Sequence, residues 1–232
     1  MKRLPLILLA LLGGSVAVHA DLTIVQKVEG GNDSNNIVLK VKGDKARIEI
    51  NPQITTILDG KTGDLVTLMN DQKKIMRISG ERAKAMADMA NAAAKENGAE
   101  VVPKPTGKTE TINGYETEEY VSTSPHLQTT YWVAKNFPDY QSILQQMLVL
   151  QKGAFAAMRR GLPDYSKLPG LPVRTEIKSD GKTALTSTLV SVNTDPVPDS
   201  AFQIPTDYSE MKMPDFLSGQ KPSDEPAPSA HQ

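Results

Sequence analysis

Between Leu22 and Ile78 apolar and polar residues alternate in short runs broken by turn residues. Ala46, Ile48 and Ile50 interleave with Lys45, Arg47 and Glu49, the pattern of a strand with one dry and one wet face. Ile37, Leu39 and Val41 do the same against Lys40 and Lys42, and Gly43-Asp44 between the two runs predicts a hairpin. Further strands are predicted at 22–29, 54–59, 65–69 and 74–78. The connections are too short for parallel crossovers, so these strands are antiparallel neighbours. The runs Asn32-Asp33-Ser34-Asn35-Asn36 and Asp59-Gly60-Lys61-Thr62-Gly63-Asp64 read as turns, and 103–109 as a loop.

The period then changes. Ala83, Met86, Ala87, Ala90, Ala93 and Ala94 recur at helical spacing over 80–97, with Ser79 placed to cap the start and Gly98 the end. Strands resume at 115–122 and 127–134 around the Asn113-Gly114 turn. A second helix is predicted over 139–160, with Tyr140, Ile143, Leu144, Met147, Leu148 and Leu150 on its apolar side, continued by Phe155 and Met158. The proline-rich stretch 161–172 reads as an irregular crossing loop. A long hairpin follows, from Val173 to the Asp180-Gly181 turn and back through 183–193. The return strand is half apolar on both sides, as in a sheet covered on both faces. The polar stretch 215–232 predicts a disordered tail.

At the front, Lys2 and Arg3 precede an apolar run from Leu4 to Leu12, and Val18 and Ala20 are spaced for signal peptidase. The expectation is a cleaved leader over 1–20, cleavage after Ala20, and a periplasmic protein. That run is shorter than the about 20 residues a membrane span needs. Roughly 190 residues remain, enough for one domain with its own core.

Composition narrows the chemistry. The chain has 26 basic and 27 acidic residues, so no basic field favours nucleic acid. It has no cysteine and three histidines, which removes disulfides, thiolate catalysis and cysteine-based metal sites. His126 lacks the companion ligands of a metal site and the G-x-S-x-G partner of a hydrolase, and Ser-Pro-His reads as a solvated turn. Gly60-Lys61-Thr62 lacks the upstream glycine of a phosphate loop, because Thr55 stands there. The Asn32–Asn36 run lacks the spaced glutamate of a calcium loop. We therefore expect no enzyme, no cofactor and no metal.

Several stretches together resemble a family. They are Lys42-Gly43-Asp44-Lys45-Ala46-Arg47, Ile57-Leu58-Asp59, Leu68-Met69, Ile112-Asn113-Gly114-Tyr115 through Tyr120, Tyr131-Trp132-Val133-Ala134-Lys135, Gly170-Leu171-Pro172-Val173, and Phe202-Gln203-Ile204-Pro205 through Met211. In order and spacing they resemble the DUF4412 family of exported bacterial proteins over about 22–214, and more distantly the LolA/LolB-like superfamily of lipoprotein carriers. The resemblance implies an α+β, mainly β fold: a half-open antiparallel barrel of about eleven strands with two amphipathic helices on its concave face. In the carriers that concave surface holds acyl chains. No position here matches their arginine latch.

An apolar ligand site would then be walled by Met86 and Met89 on the first helix, and by Ile143, Met147, Leu148, Phe155 and Met158 on the second. Ile48, Ile50, Leu39, Leu68, Met69, Tyr131 and Val133 would line it from the strands. Methionine suits a surface that accepts variable apolar partners, and the same residues serve equally as ordinary core. Arg159-Arg160 complements a helix dipole or meets anionic head groups at a cavity rim. The partner expected is a lipid or a lipid-modified protein. The alternative is an envelope protein–protein interaction or stress-sensing module with a filled core.

Overall fold

The computed structural model describes residues 21–31, 33–96, 102–124, 127–151 and 167–211. Six strands lead: β1 (Leu22–Gly30), β2 (Asp33–Lys42), β3 (Lys45–Glu49), β4 (Ile54–Asp59), β5 (Leu65–Met69) and β6 (Lys74–Ile78). Helix α1 (Gly80–Glu96) follows, then β7 (Lys104–Ile112), β8 (Tyr115–Thr123) and β9 (Leu127–Ala134). Helix α2 (Tyr140–Met147) tightens into a 3-10 turn over Leu148–Gln151. The described chain ends with β10 (Leu171–Ser179), β11 (Lys182–Asn193) and the two-residue β12 (Ser209–Glu210). All twelve strands form one open sheet in the order β12-β6-β5-β4-β3-β2-β1-β11-β10-β9-β8-β7. Every pairing is antiparallel except that of β12 with β6.

Local chemistry explains the junctions. Asn113 and Gly114 both take positive φ, the backbone a two-residue hairpin turn requires. Ser79 caps α1 as expected, its Oγ accepting the Arg82 amide at 3.3 Å, while Asp64 Oδ1 accepts the Gly80 amide at 2.7 Å.

Three sequence readings change. The 103–109 loop is the first part of strand β7, which lies at the sheet edge and exposes every residue but Ile112. An edge strand with no dry face needs no apolar alternation, and a bulge between Pro105 and Thr109 with Gly107 at φ +81° breaks its regularity. Asp33–Asn36 is not a turn but the start of β2, exposed and held by its backbone pairing to β1. Strand β10 begins at Leu171, inside the stretch read as loop, with a bulge between Pro172 and Arg174. The described part of the second helix ends at Gln151; the rest of its predicted length, Arg159-Arg160 included, lies outside the described residues, as do His126 and the leader and tail.

The sheet has two differently furnished faces. Its inner face carries α2. Leu22, Ile24, Leu39, Val41, Ala46 and Leu58 pack there with Ile143, Val149 and Phe137. Each of these side chains but Ala46 contributes about 1.5–3 kcal/mol by leaving water. The tip of the β7–β8 hairpin folds over this face. Ile112 joins the same cluster, Asn113 Nδ2 donates to the Leu189 carbonyl at 2.6 Å, and Arg174 meets Glu110 at 3.1 and 3.3 Å across two intervening strands. Contacts between such distant strands require a strongly curled sheet.

The outer face is crossed by a strap over 194–211. The Val197 amide donates to buried Asp21 (2.7 Å), and Lys42 holds both the Val197 carbonyl and Asp199 at 2.8 Å. Arg47 donates to the Ala201 carbonyl at 3.1 Å. Ile204 and Tyr208 pack on Ile57, Val66, Leu68 and Ile75, and Lys73 pairs with Asp207 at 2.8 Å just before β12.

The strap has a pH window. The hydrogen bond from Lys42 lowers the Asp199 carboxyl, and that from Lys73 lowers Asp207. A carboxyl lowered in the folded state stabilises above its unfolded pKa, about 3.9, and that contribution is lost as pH falls through the folded value. Lys42 and Lys73 are raised by the same hydrogen bonds, so their contribution is present below about 10.4 and lost as pH climbs past the folded value. Urea midpoints measured across pH are expected to stay level in between and fall below about pH 4. In the double variant Asp199→Asn/Asp207→Asn that acid fall is expected to be shallower; an unchanged profile would refute the assignment.

Candidate functional site

Register assembles the site. In an antiparallel pair, residues directly opposite share a face. Ala46, Leu58, Leu65 and Ile78 therefore form one row across β3–β6 on the inner face, buried beneath Ala83 of α1 at the β5–β6 end. Two residues further along each strand, Ile48, Thr56, Thr67 and Met76 form the next row. Thr56 Oγ1 and Thr67 Oγ1 lie 3.4 Å apart in it. Ile54, Met69 and Lys74 form a third row, and the Ile50 amide bonding to the Ile54 carbonyl at 3.0 Å extends it to Ile50.

Burial falls off across these rows. The first is buried. In the second only Thr56 is; Ile48, Thr67 and Met76 are half-buried. In the third, Ile54, Met69 and Lys74 are half-buried and Ile50 is 38 % exposed. The inner face thus offers a partly uncovered apolar patch beside the foot of α1. Such a patch can take up an acyl chain or apolar side chain at about 0.8 kcal/mol per buried CH₂.

Of the side chains expected at the site, Ile48, Ile50 and Met69 lie together here. Ile143 and Met147 lie on the inner face too, in the same cluster as Ala46 and Leu58, on which Ile48 packs; Ile143 is buried core there and Met147 packs on it. Leu148 is half-buried at the start of the 3-10 turn. Met86 and Met89 are 39 and 60 % exposed on α1. Phe155 and Met158 lie outside the described residues.

Tyr131 falls on the opposite face. Trp132 packs against the inner cluster, so alternation sends Tyr131 and Val133 outward, where they meet Tyr120 and Leu168. Leu68 is likewise an outer residue, one step from inward Met69. Ile54 and Met76 were not picked out from the sequence. Each starts or interrupts a run that alternation alone recognises as strand, and only the cross-strand register brings them beside Ile48 and Ile50.

A second concavity, of 460 Å³, opens on the outer face near the β7 edge and is polar. Its Glu118 carboxylate is bound by Lys135 and accepts the Tyr120 hydroxyl at 3.1 Å. The Lys135 hydrogen bond lowers the Glu118 carboxyl, and the same bond raises the Lys135 ammonium. The two groups thus form an ion pair at the wall of the cleft. Among the described residues no group of three or more His, Cys, Asp or Glu is placed to hold a metal ion, and no helix is long and apolar enough to cross a membrane.

Among solved structures the chain is similar to PNGF-II in a P21 and a C2 crystal form. Identity is 16 % in both, with TM-scores of 0.38 and 0.39, over 79 and 82 % of this chain. It spans 30 and 31 % of those PNGF-II chains. It is also similar to a DUF1329 family protein from Desulfovibrio piger ATCC 29098, at 10 % identity and a TM-score of 0.32, over 81 % of this chain and 91 % of that one. A search of curated proteins finds no match. The family model for DUF4412, a domain of unknown function, matches residues 21–208, and the chain belongs to that family.

Proposed function

We propose that this is an exported, non-enzymatic protein that binds a lipid or another apolar or amphipathic ligand on the inner face of its sheet. The observation that carries the reading is the partly uncovered pair of rows running from Ile48 and Ile50 to Met76 and Met69, beside a fully buried row. Apolar area left open on the curled side of a sheet and sheltered from bulk solvent is where an acyl chain gains most. The curl of the β7–β8 hairpin supports a half-open barrel of LolA type, with α1 and α2 as its cover. Ligand entry then involves movement of a helix off the sheet.

The test is native mass spectrometry of the purified chain with added fatty acid. The wild type is expected to carry the ligand. Ile50→Glu places a carboxylate at an exposed position, so folding is kept while uptake falls at least about tenfold, because burying a charge against an acyl chain is unfavourable. A bare polypeptide mass at all ligand concentrations would overturn the reading.

A second reading has its own observation. Ile143, Val149 and Phe137 already fill the inner face over Leu22, Ile24, Leu39, Val41, Ala46 and Leu58. A filled core there supports an envelope protein-interaction or stress-sensing module, and absence of lipid uptake moves the assignment to it.

A further inference from the structure

The third row of the inner face ends in a charge. Lys74 stands opposite Met69, which stands opposite Ile54, so its side chain shares their face. It is half-buried, and among the described residues its ammonium has no ion pair and no side-chain hydrogen bond. Its neighbours along the chain differ. Lys73 is paired with Asp207, and Arg77 lies 3.6 Å from Glu210, both beside the strap and β12. Among the described residues Lys74 is thus a cation without a counter-ion at the end of an apolar row.

We propose that Lys74 is the head-group site of the ligand-binding face, and that the ligand is an acyl-chain lipid with an anionic head group. The inference rests on the lipid-binding reading above and gives it a chemical class. The geometry matches such a molecule end to end. Ile50, Ile54, Met69 and Met76 take the chain, and the ammonium takes a carboxylate or phosphate oxygen in a charge-assisted hydrogen bond. Partial burial strengthens that bond relative to one in open water, since the local dielectric is lower. A neutral head group in the same place leaves the ammonium half-desolvated and unpaired, and so binds less well.

The experiment compares two ligands bearing the same acyl chain, lysophosphatidylglycerol and a monoacylglycerol, each below its micelle concentration, by fluorescence titration or calorimetry. Lysophosphatidylglycerol is expected to bind the wild type at least about tenfold more tightly, with the preference shrinking as salt is added. Lys74→Gln is expected to bring the two affinities together, weakening lysophosphatidylglycerol and relieving the penalty on the monoacylglycerol, and Lys74→Arg to keep the preference. Equal affinities in the wild type, or a preference that survives in Lys74→Gln, would overturn the head-group site and leave the lipid-binding reading standing. Failure of both ligands to bind would overturn that reading and this one with it. Inorganic phosphate is a third arm: if it binds by itself and displaces lysophosphatidylglycerol, the site is a phosphate site and not a lipid one.

Discussion

Gly80→Ala is expected to destabilise the domain by about 3 kcal/mol, the upper end of what overpacking costs. Gly80 is the first residue of α1, directly after β6, and sits against the β4–β5 turn. A Cβ there would fall on the Thr62 carbonyl oxygen and lie 2.9 Å from its carbon and 3.2 Å from that of Gly63. These are backbone atoms, so no side chain can swing aside. Either the turn or the helix start must move. Moving the helix breaks the Asp64 bond to the Gly80 amide and the Ser79 cap, and lifts Ala83 off Leu65 and Ile78. With a urea slope of about 2 kcal/mol per molar, the midpoint is expected to fall by about 1–2 M. A midpoint within error of the wild type would show that α1 is not seated as described.

Tyr131→Ala is expected to cost more, about 3–5 kcal/mol, the range for deleting a buried aromatic ring. Tyr131 is 1 % exposed and packs with Tyr120, Val133 and Leu168 on the outer face. Burial raises its phenol. Tyr131→Phe keeps the ring and is expected to lose only about 1 kcal/mol. It also separates core from site, because Tyr131 lies across the sheet from the apolar rows. Lipid uptake by Tyr131→Phe is expected to equal that of the wild type, the reverse of Ile50→Glu. A loss of uptake in Tyr131→Phe without loss of stability would place the ligand on the outer face.

Much of this architecture is legible in the chain because alternation and turn chemistry are local. Ile54–Asp59, Leu65–Met69 and Lys74–Ile78 emerge at their expected bounds, since each run is short, β-rich and bracketed by turn residues. Two kinds of feature are not local. Strand β7 has no buried face to write into its sequence, and only its pairing with β8 makes it a strand. The direction of a side chain in a two-sided strand is the other. Tyr131-Trp132-Val133 is apolar at three consecutive positions, so the sequence contains no parity to say which residue faces the helices. Choosing Tyr131 and Val133 as the inward pair put part of the expected site on the wrong side. The bulge at Pro172 shows the same limit, because it turns Val173 into the inner cluster ahead of Arg174. Ile48, Ile50 and Met69 could be selected because their strands alternate cleanly; Ile54, Met76 and Lys74 needed the ladder that joins them.

The position of β1 has a kinetic consequence. It lies near the middle of the sheet, flanked by β2 from the start of the chain and β11 from near its end, with Thr23 opposite Asn193. The two halves of the sheet meet only along that seam, and Asp21 then waits for Val197. Closing it means drawing together segments some 170 positions apart before their contacts stabilise anything, which places the domain among slow, high-contact-order folders. Until β11 has been synthesised, β1 keeps one row of backbone donors and acceptors unpaired. A chain stalled before Lys182 is therefore a β-hairpin stack with a bare, apolar inner edge, the species a holdase would capture and a protease would clear.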